Sequence, residues 1–149
     1  MVIASVESKN AGKNELVENG IPLNLDNIEV QEKWNNLLER LPHKSYVKDD
    51  ICEINQNEIL CRMKHPEKDQ AGRNRIVYIV WDKEASDEMI KKTVETIGLN
   101  YDSFLKLKNT FDKKKTQKLM LIALIVVVLA IAILMLKDEI IMLFCVPSE

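Results

Sequence analysis

Two thiols and two imidazoles are the side chains best suited to chemistry in this chain: Cys52, Cys61, His43 and His65. Zinc accepts two thiolates and two imidazoles in a tetrahedral set. In chain order the gaps between these residues are eight, eight and three, which is not the short paired spacing of a zinc finger. The alternative chemistry is a cysteine nucleophile activated by one of the imidazoles. The simpler expectation is a pair of small buried thiols in a reducing compartment. Whether the four residues meet depends on the elements that carry them. The third cysteine, Cys145, lies far away near the C-terminus. No G-x-G-x-x-G, G-K-[ST], H-E-x-x-H or C-x-x-C motif is present. The usual nucleotide, phosphate and zinc-hydrolase signals are therefore missing. The expectation is a protein without enzymatic activity, metal or cofactor.

The elements begin with a helix. Val30, Trp34, Leu37, Leu38 and Leu41 follow helical spacing and define one apolar face. Asp26 and Glu29 suggest a capping box, and Pro42 ends the run. Gln31, Glu32, Asn35, Asn36, Glu39 and Arg40 lie on the opposite face. Three strands are expected next, at Tyr46–Ile54, Glu58–Lys64 and Arg75–Asp82. The third is rich in β-branched and aromatic residues and reads as a central strand. The span from His65 to Asn74 reads as a charged, mobile loop. A second helix starts at Ser86, buries Ile90, Val94 and Ile97, and closes at Gly98. A third helix restarts at Asn100 or Asp102, and nothing breaks it before the apolar run that follows.

That run, Leu119–Leu136, contains no charged, polar, glycine or proline residue. Eighteen residues at a rise of about 1.5 Å extend about 27 Å, the hydrocarbon thickness of an endoplasmic reticulum bilayer. Leu119, Ile122, Ile125, Val128, Ile131, Leu134 and Leu136 are the expected anchor residues. Lys113, Lys114, Lys115 and Lys118 precede the run as a basic cluster, whereas Lys137, Asp138 and Glu139 follow it. Basic flanks remain cytosolic, so residues 1–118 are expected in the cytosol. The position of the run near the end predicts a tail anchor inserted after synthesis. The acidic tail KDEIIMLFCVPSE favours the endoplasmic reticulum or another endomembrane over the mitochondrial outer membrane. Ile140–Phe144 either dip into the far interface or continue the helix.

Charge narrows the partners. Removing Lys137, Asp138, Glu139 and Glu149 from the 21 basic and 23 acidic residues leaves 20 of each in residues 1–118. A neutral domain lacks the basic excess of a nucleic-acid binder. The expected partners are the lipid bilayer and a protein, not nucleic acid.

The expected fold class is α+β: a small α-β-β-β-α domain, then a long helix that becomes a single transmembrane helix. In domains, this gives a flexible tail over 1–25, the α+β domain over 26–98, a stalk over 99–118, the membrane helix over 119–136 and a short non-cytosolic tail over 137–149. The function expected is that of a membrane adaptor or complex subunit presenting a protein-binding domain at the cytosolic face. The polar face of the first helix, the His65–Asn74 loop and the stalk are its candidate contacts. An alternative is a subunit held in a membrane assembly through its span.

A further alternative follows from heptad spacing. Ile90, Ile97, Phe104 and Phe111 are seven apart, with Val94 and Tyr101 between them. With the lysines and the apolar run, residues 86–136 look like the architecture of SNARE proteins. That resemblance implies fusion or tethering through a helix free to pair with others.

Overall fold

The computed structural model describes residues 1–7, 15–42 and 48–144, except the side chains of residues 138 and 142–144. The described elements run β1 (Val2–Glu7), β2 (Glu15–Glu18), β3 (Ile21–Leu23), α1 (Ile28–Arg40), β4 (Asp50–Glu53), β5 (Glu58–Lys68), β6 (Asn74–Asp82), α2 (Asp87–Thr96) and α3 (Tyr101–Phe144). Six strands form one antiparallel sheet in the order β3-β2-β1-β6-β5-β4. The chain forms two compact units, Met1–Phe111 and Asp112–Glu149, and α3 contributes to both.

Within the first unit the sheet is covered on both faces. Alternation along β1 sends Val2, Ala4 and Val6 to one face and Ile3 to the other. The first face packs Cys61, Val77, Ile79 and Trp81 against Ile90 and Val94 of α2, Ile97 at its C-terminal cap and Phe104 of α3. The second packs Leu16, Leu60 and Val80 against Trp34 and Leu37 of α1 and Leu41 just after it. This is a three-layer α/sheet/α arrangement on a mixed α+β background.

The expected flexible tail over 1–25 is corrected. Its residues form β1, β2 and β3, and β1 lies between β2 and β6 in the middle of the sheet. A short apolar run such as VIASV is a buried strand when both faces are covered. Asn19-Gly20 joins Glu18 to its partner Ile21 with φ of 50° and 78°. Two positive φ values in a two-residue loop match the right-handed twist of a hairpin. The Asn19 side-chain oxygen also accepts the Val2 N–H at 2.8 Å, tying the hairpin to β1.

The expected helices appear with small shifts. Asn27 caps α1, accepting the Glu29 N–H at 2.9 Å. Asp26 instead donates its N–H to the Asn24 side chain. Ser86 caps α2 as expected, and Asn100 caps α3 by accepting the Ser103 N–H at 2.9 Å. The last three strands form the expected meander, with β6 central. The start of the first expected strand, at Tyr46 and Val47, lies outside the described residues. The mobile loop over 65–74 is corrected: His65 to Lys68 belong to β5, and His65 is buried.

The stalk and domain boundaries are corrected too. Phe104 is fully buried against Trp81, and Tyr101, Leu107 and Phe111 pack on the same core. The first unit therefore reaches Phe111, not 98. Ile90, Val94, Ile97 and Phe104, four members of the heptad seam, fill this core, and the chain breaks between α2 and α3. Beyond the core, α3 continues to Phe144, farther than the expected end near Leu136.

Gly98 makes the turn between α2 and α3 with φ of 86°. A Cβ there would lie 2.9 Å from His65 Nε2, which itself bonds the Ile97 carbonyl at 3.1 Å. Gly98→Ala is expected to cost about 1–3 kcal/mol, from the strained φ and the displaced imidazole. Urea unfolding followed by tryptophan fluorescence measures it, and an unchanged midpoint would contradict the account.

Candidate functional site

The thiols do not converge. Cys52 lies opposite Leu60 and packs in the α1 cluster, whereas Cys61 lies opposite Ile51 and packs in the α2 cluster. They face opposite sides of the sheet. His65 is spoken for at both nitrogens: Nε2–H donates to the Ile97 carbonyl at 3.1 Å, and Nδ1 accepts the Glu67 N–H at 3.1 Å. His43 and Cys145 lie outside the described residues. Among the described residues, no three or more His, Cys, Asp or Glu side chains are grouped to hold a metal ion.

Burial, then the nearby Asp49, Asp50 and Cys52, pushes the Cys61 thiol well above its usual range. A raised pKa keeps it protonated at neutral pH, and the thiolate is the reactive form. Cys61 is therefore expected to resist alkylation at pH 8 in the folded chain and to react at the ordinary rate in urea. Mass mapping of the labelled peptide reads this directly. Fast labelling without denaturant would contradict the burial.

A polar row on the α1 face was not foreseen. Asp50 stands opposite Arg62, Arg62 opposite Tyr78, and Tyr78 opposite Ser5, across four strands of the sheet. Arg62 is 6% exposed, and Asp50 grips it through two hydrogen bonds: Nε to Oδ1 at 2.8 Å, and Nη2 to Oδ2. The hydrogen bond to Asp50 raises the Arg62 pKa further, so the guanidinium stays charged. Among the described residues, Arg62 Nη1 and Ser5 Oγ are buried without a hydrogen-bond partner. The available signal was a single arginine inside the apolar run EILCRM, one short hairpin from an aspartate. Asp50→Ala leaves a buried guanidinium without its carboxylate. Because the Asp50 side chain is 34% exposed, the expected cost is about 2 kcal/mol, below that of a fully buried pair. Arg62→Met should cost less, because it removes the charge and keeps the volume. A denaturation series on the two variants decides this, and the reverse order would refute it.

The surface depressions are open, and some of the charges that line them are paired. One, of about 710 Å³, is lined by Met1, Asn57, Asp82, Lys83, Ser86 and Met89 among others. Asp82 pairs with the Met1 ammonium and Lys83 with Glu53. The polar face of α1 is the broad unpacked surface: Gln31, Glu32, Asn35, Asn36 and Glu39 are exposed.

The second unit carries the apolar stretch in which the anchor is expected. One stretch of α3 is long and apolar enough to cross a membrane, with a mean hydropathy of 3.5 and none of it buried. Leu119, Ile122, Ile125, Val128, Ile131, Leu134 and Leu136 all lie on it, and its large apolar side chains are 48–68% exposed. Lys113, Lys114, Lys115 and Lys118 are exposed on the preceding turns. An apolar surface of this length is not stable in water.

Fold and site together define a mixed α+β domain whose last helix extends into a segment able to cross a membrane. No protein-family model, curated protein or solved structure matches the chain.

Proposed function

We propose that this chain is a single-pass membrane adaptor or complex subunit. The helix α3 holds it in an endomembrane and presents the Met1–Phe111 domain to a protein partner in the cytosol. The observation that carries the reading is the 119–136 stretch of α3, which buries nothing within the chain. A soluble protein would have to cover that surface, whereas both faces of the described sheet are occupied by the chain's own helices. The lysines at 113–118 favour a cytosolic domain under the positive-inside bias. The net acidic flank after the span favours the endoplasmic reticulum over the mitochondrial surface. Confinement to a membrane raises the encounter of a weak binder with other membrane-bound proteins, which is how an adaptor gains avidity. Of the three expected contact surfaces, the polar face of α1 supports this reading best. Half of the 65–74 segment is strand, and the start of α3 is core.

The fusion or tethering alternative needs a free helix over 86–111. Its seam residues are occupied by the domain's own core, so the adaptor reading is preferred.

The test is crosslinking in cells, with the full chain beside a truncation ending at Asp112, followed by identification of what each retains. The adaptor reading expects the same partner with both, and loss of that partner on Glu32→Arg/Glu39→Arg. A partner held only by the full chain would transfer the function to the span.

A further inference from the structure

We propose that Asn19 is a self-modification site: in an opened β2–β3 hairpin its side chain cyclises with the Gly20 nitrogen and ends as isoaspartate or aspartate, and the folded turn holds that reaction back. Asn19 is the one asparagine in the chain that a glycine follows. The reaction needs no co-reactant but water. The Gly20 main-chain nitrogen, once it loses its proton, attacks the Asn19 side-chain carbon Cγ. A bond from Cγ to that nitrogen forms, the bond from Cγ to the side-chain nitrogen breaks, and ammonia leaves with the proton. Water then opens the five-membered succinimide at either carbonyl. Opening at Cγ gives aspartate, whereas opening at the main-chain carbonyl leaves the chain running through Cγ, as isoaspartate. Glycine favours the ring because no Cβ crowds the attacking nitrogen.

The folded turn opposes each step. Its φ values of 50° and 78° in a two-residue loop define a type I′ turn. In that turn the Gly20 nitrogen lies nearly opposite the Asn19 Cβ across the Cα–C bond, whereas ring closure needs the two on the same side. The Asn19 side chain is held as well. Its Oδ1 accepts the Val2 N–H at 2.8 Å, while the Asn19 N–H donates to the Val2 carbonyl at 2.8 Å. Gly20 is buried, which keeps its N–H from the water and hydroxide that must take the proton. The Lys92 stem lies so close that a Cβ added at Gly20 would meet Lys92 Cγ at 2.5 Å, and the Thr96 hydroxyl stands 3.4 Å from the Gly20 carbonyl. Attack therefore requires the turn to leave both β1 and α2, the kind of local opening by which folded chains expose single segments. Isoaspartate then prevents the same turn from closing. It adds a main-chain carbon to the two-residue loop that pairs Glu18 with Ile21, and it withdraws the side-chain oxygen from Val2.

The experiment ages the full chain in mild detergent at pH 8, folded and in urea, and follows the peptide carrying Asn19 by its mass and its isoaspartate content. In urea Asn19 should convert well ahead of Asn24, which precedes Leu25. In the folded chain conversion should be at least tenfold slower, and tenfold corresponds to about 1.4 kcal/mol of opening. Gly20→Ala should slow the reaction in urea, where folding plays no part. K92A/T96V, checked as folded by circular dichroism, should speed it in the folded chain and leave the rate in urea unchanged. Chain aged to isoaspartate in urea and then refolded should unfold at lower urea than fresh chain taken through the same cycle. Asn19→Asp should stay near wild type, because its carboxylate still accepts the Val2 N–H. Conversion at one rate in both states, or none in urea, overturns the proposal. A folded double variant no faster than wild type overturns the role given to α2. Equal midpoints for the aged and fresh chains overturn the claim that the product cannot rebuild the turn.

Discussion

Replacing Ile125 and Val128 together by aspartate is expected to release the chain from membranes into the carbonate-soluble fraction. Both residues lie near the middle of the 119–136 stretch and are about half exposed. That stretch contains 13 Leu, Ile and Val residues. At about 0.3–0.6 kcal/mol each near the centre of a span, they favour insertion by about 4–8 kcal/mol in total. One aspartate opposes this by about 2.5–3.5 kcal/mol, so a single substitution should leave most of the chain in the membrane. Two remove two favourable residues and add about 5–7 kcal/mol of opposition, which brings insertion to balance or beyond. The graded response is the informative feature. Wild type and the single variants should pellet with membranes after carbonate, and the double variant should not. If wild type is soluble without detergent, or the double variant stays with the membrane, the segment does not anchor the chain by apolar insertion.

Phe104→Ala is expected to destabilise the domain by about 3–5 kcal/mol, the usual cost of truncating a buried aromatic. Phe104 is fully buried, with its ring edge-on to Trp81 at 5.7 Å and stacked on Tyr101 at 6.1 Å. Those contacts join α3 to the α2 face of the sheet. A small domain has about 5–15 kcal/mol of total stability, so the loss is a large share. Trp81 lies beside the cavity and Trp34 on the other face. Tryptophan emission during urea unfolding should show a lowered midpoint. Asn109→Ala, exposed on the same helix, should stay within about 0.5 kcal/mol of wild type. Equal midpoints for the two variants would mean that the start of α3 is a stalk after all. The domain would then end at Gly98.

That contrast marks where local pattern stops informing. Periodicity over a few turns is local physics, and it suffices for α1, for α2 and for the apolar length of α3. Val30, Trp34, Leu37 and Leu41 face a core because helical geometry puts them on one side, whatever that core contains. β6 is legible for the same reason, since its run of β-branched and aromatic residues suits only a covered strand. The chemistry of Leu119–Leu136 is legible because eighteen apolar residues in sequence need no partner to be recognised.

Other features depend on residues distant in sequence. β1 becomes a central strand by pairing Val2 with Trp81 and Val6 with Val77. No window containing Val2–Glu7 alone reports those partners, although the Asn19-Gly20 hairpin signal was readable nearby. The faces of Cys52 and Cys61 follow from register, because strand side chains alternate and a one-residue slip would exchange them. Burial of Arg62 depends on Asp50 arriving opposite it in the β4–β5 pairing. Phe104 has the same helical periodicity in a stalk as in a core helix, and only the presence of Trp81 beneath it distinguishes the two. The sequence by itself therefore determined the helices, the central strand and the apolar span, because each is marked by a pattern among neighbours along the chain. Tertiary structure alone decided the N-terminal half of the sheet, the separation of the two thiols and the end of the domain at Phe111, because each depends on contacts that folding brings together.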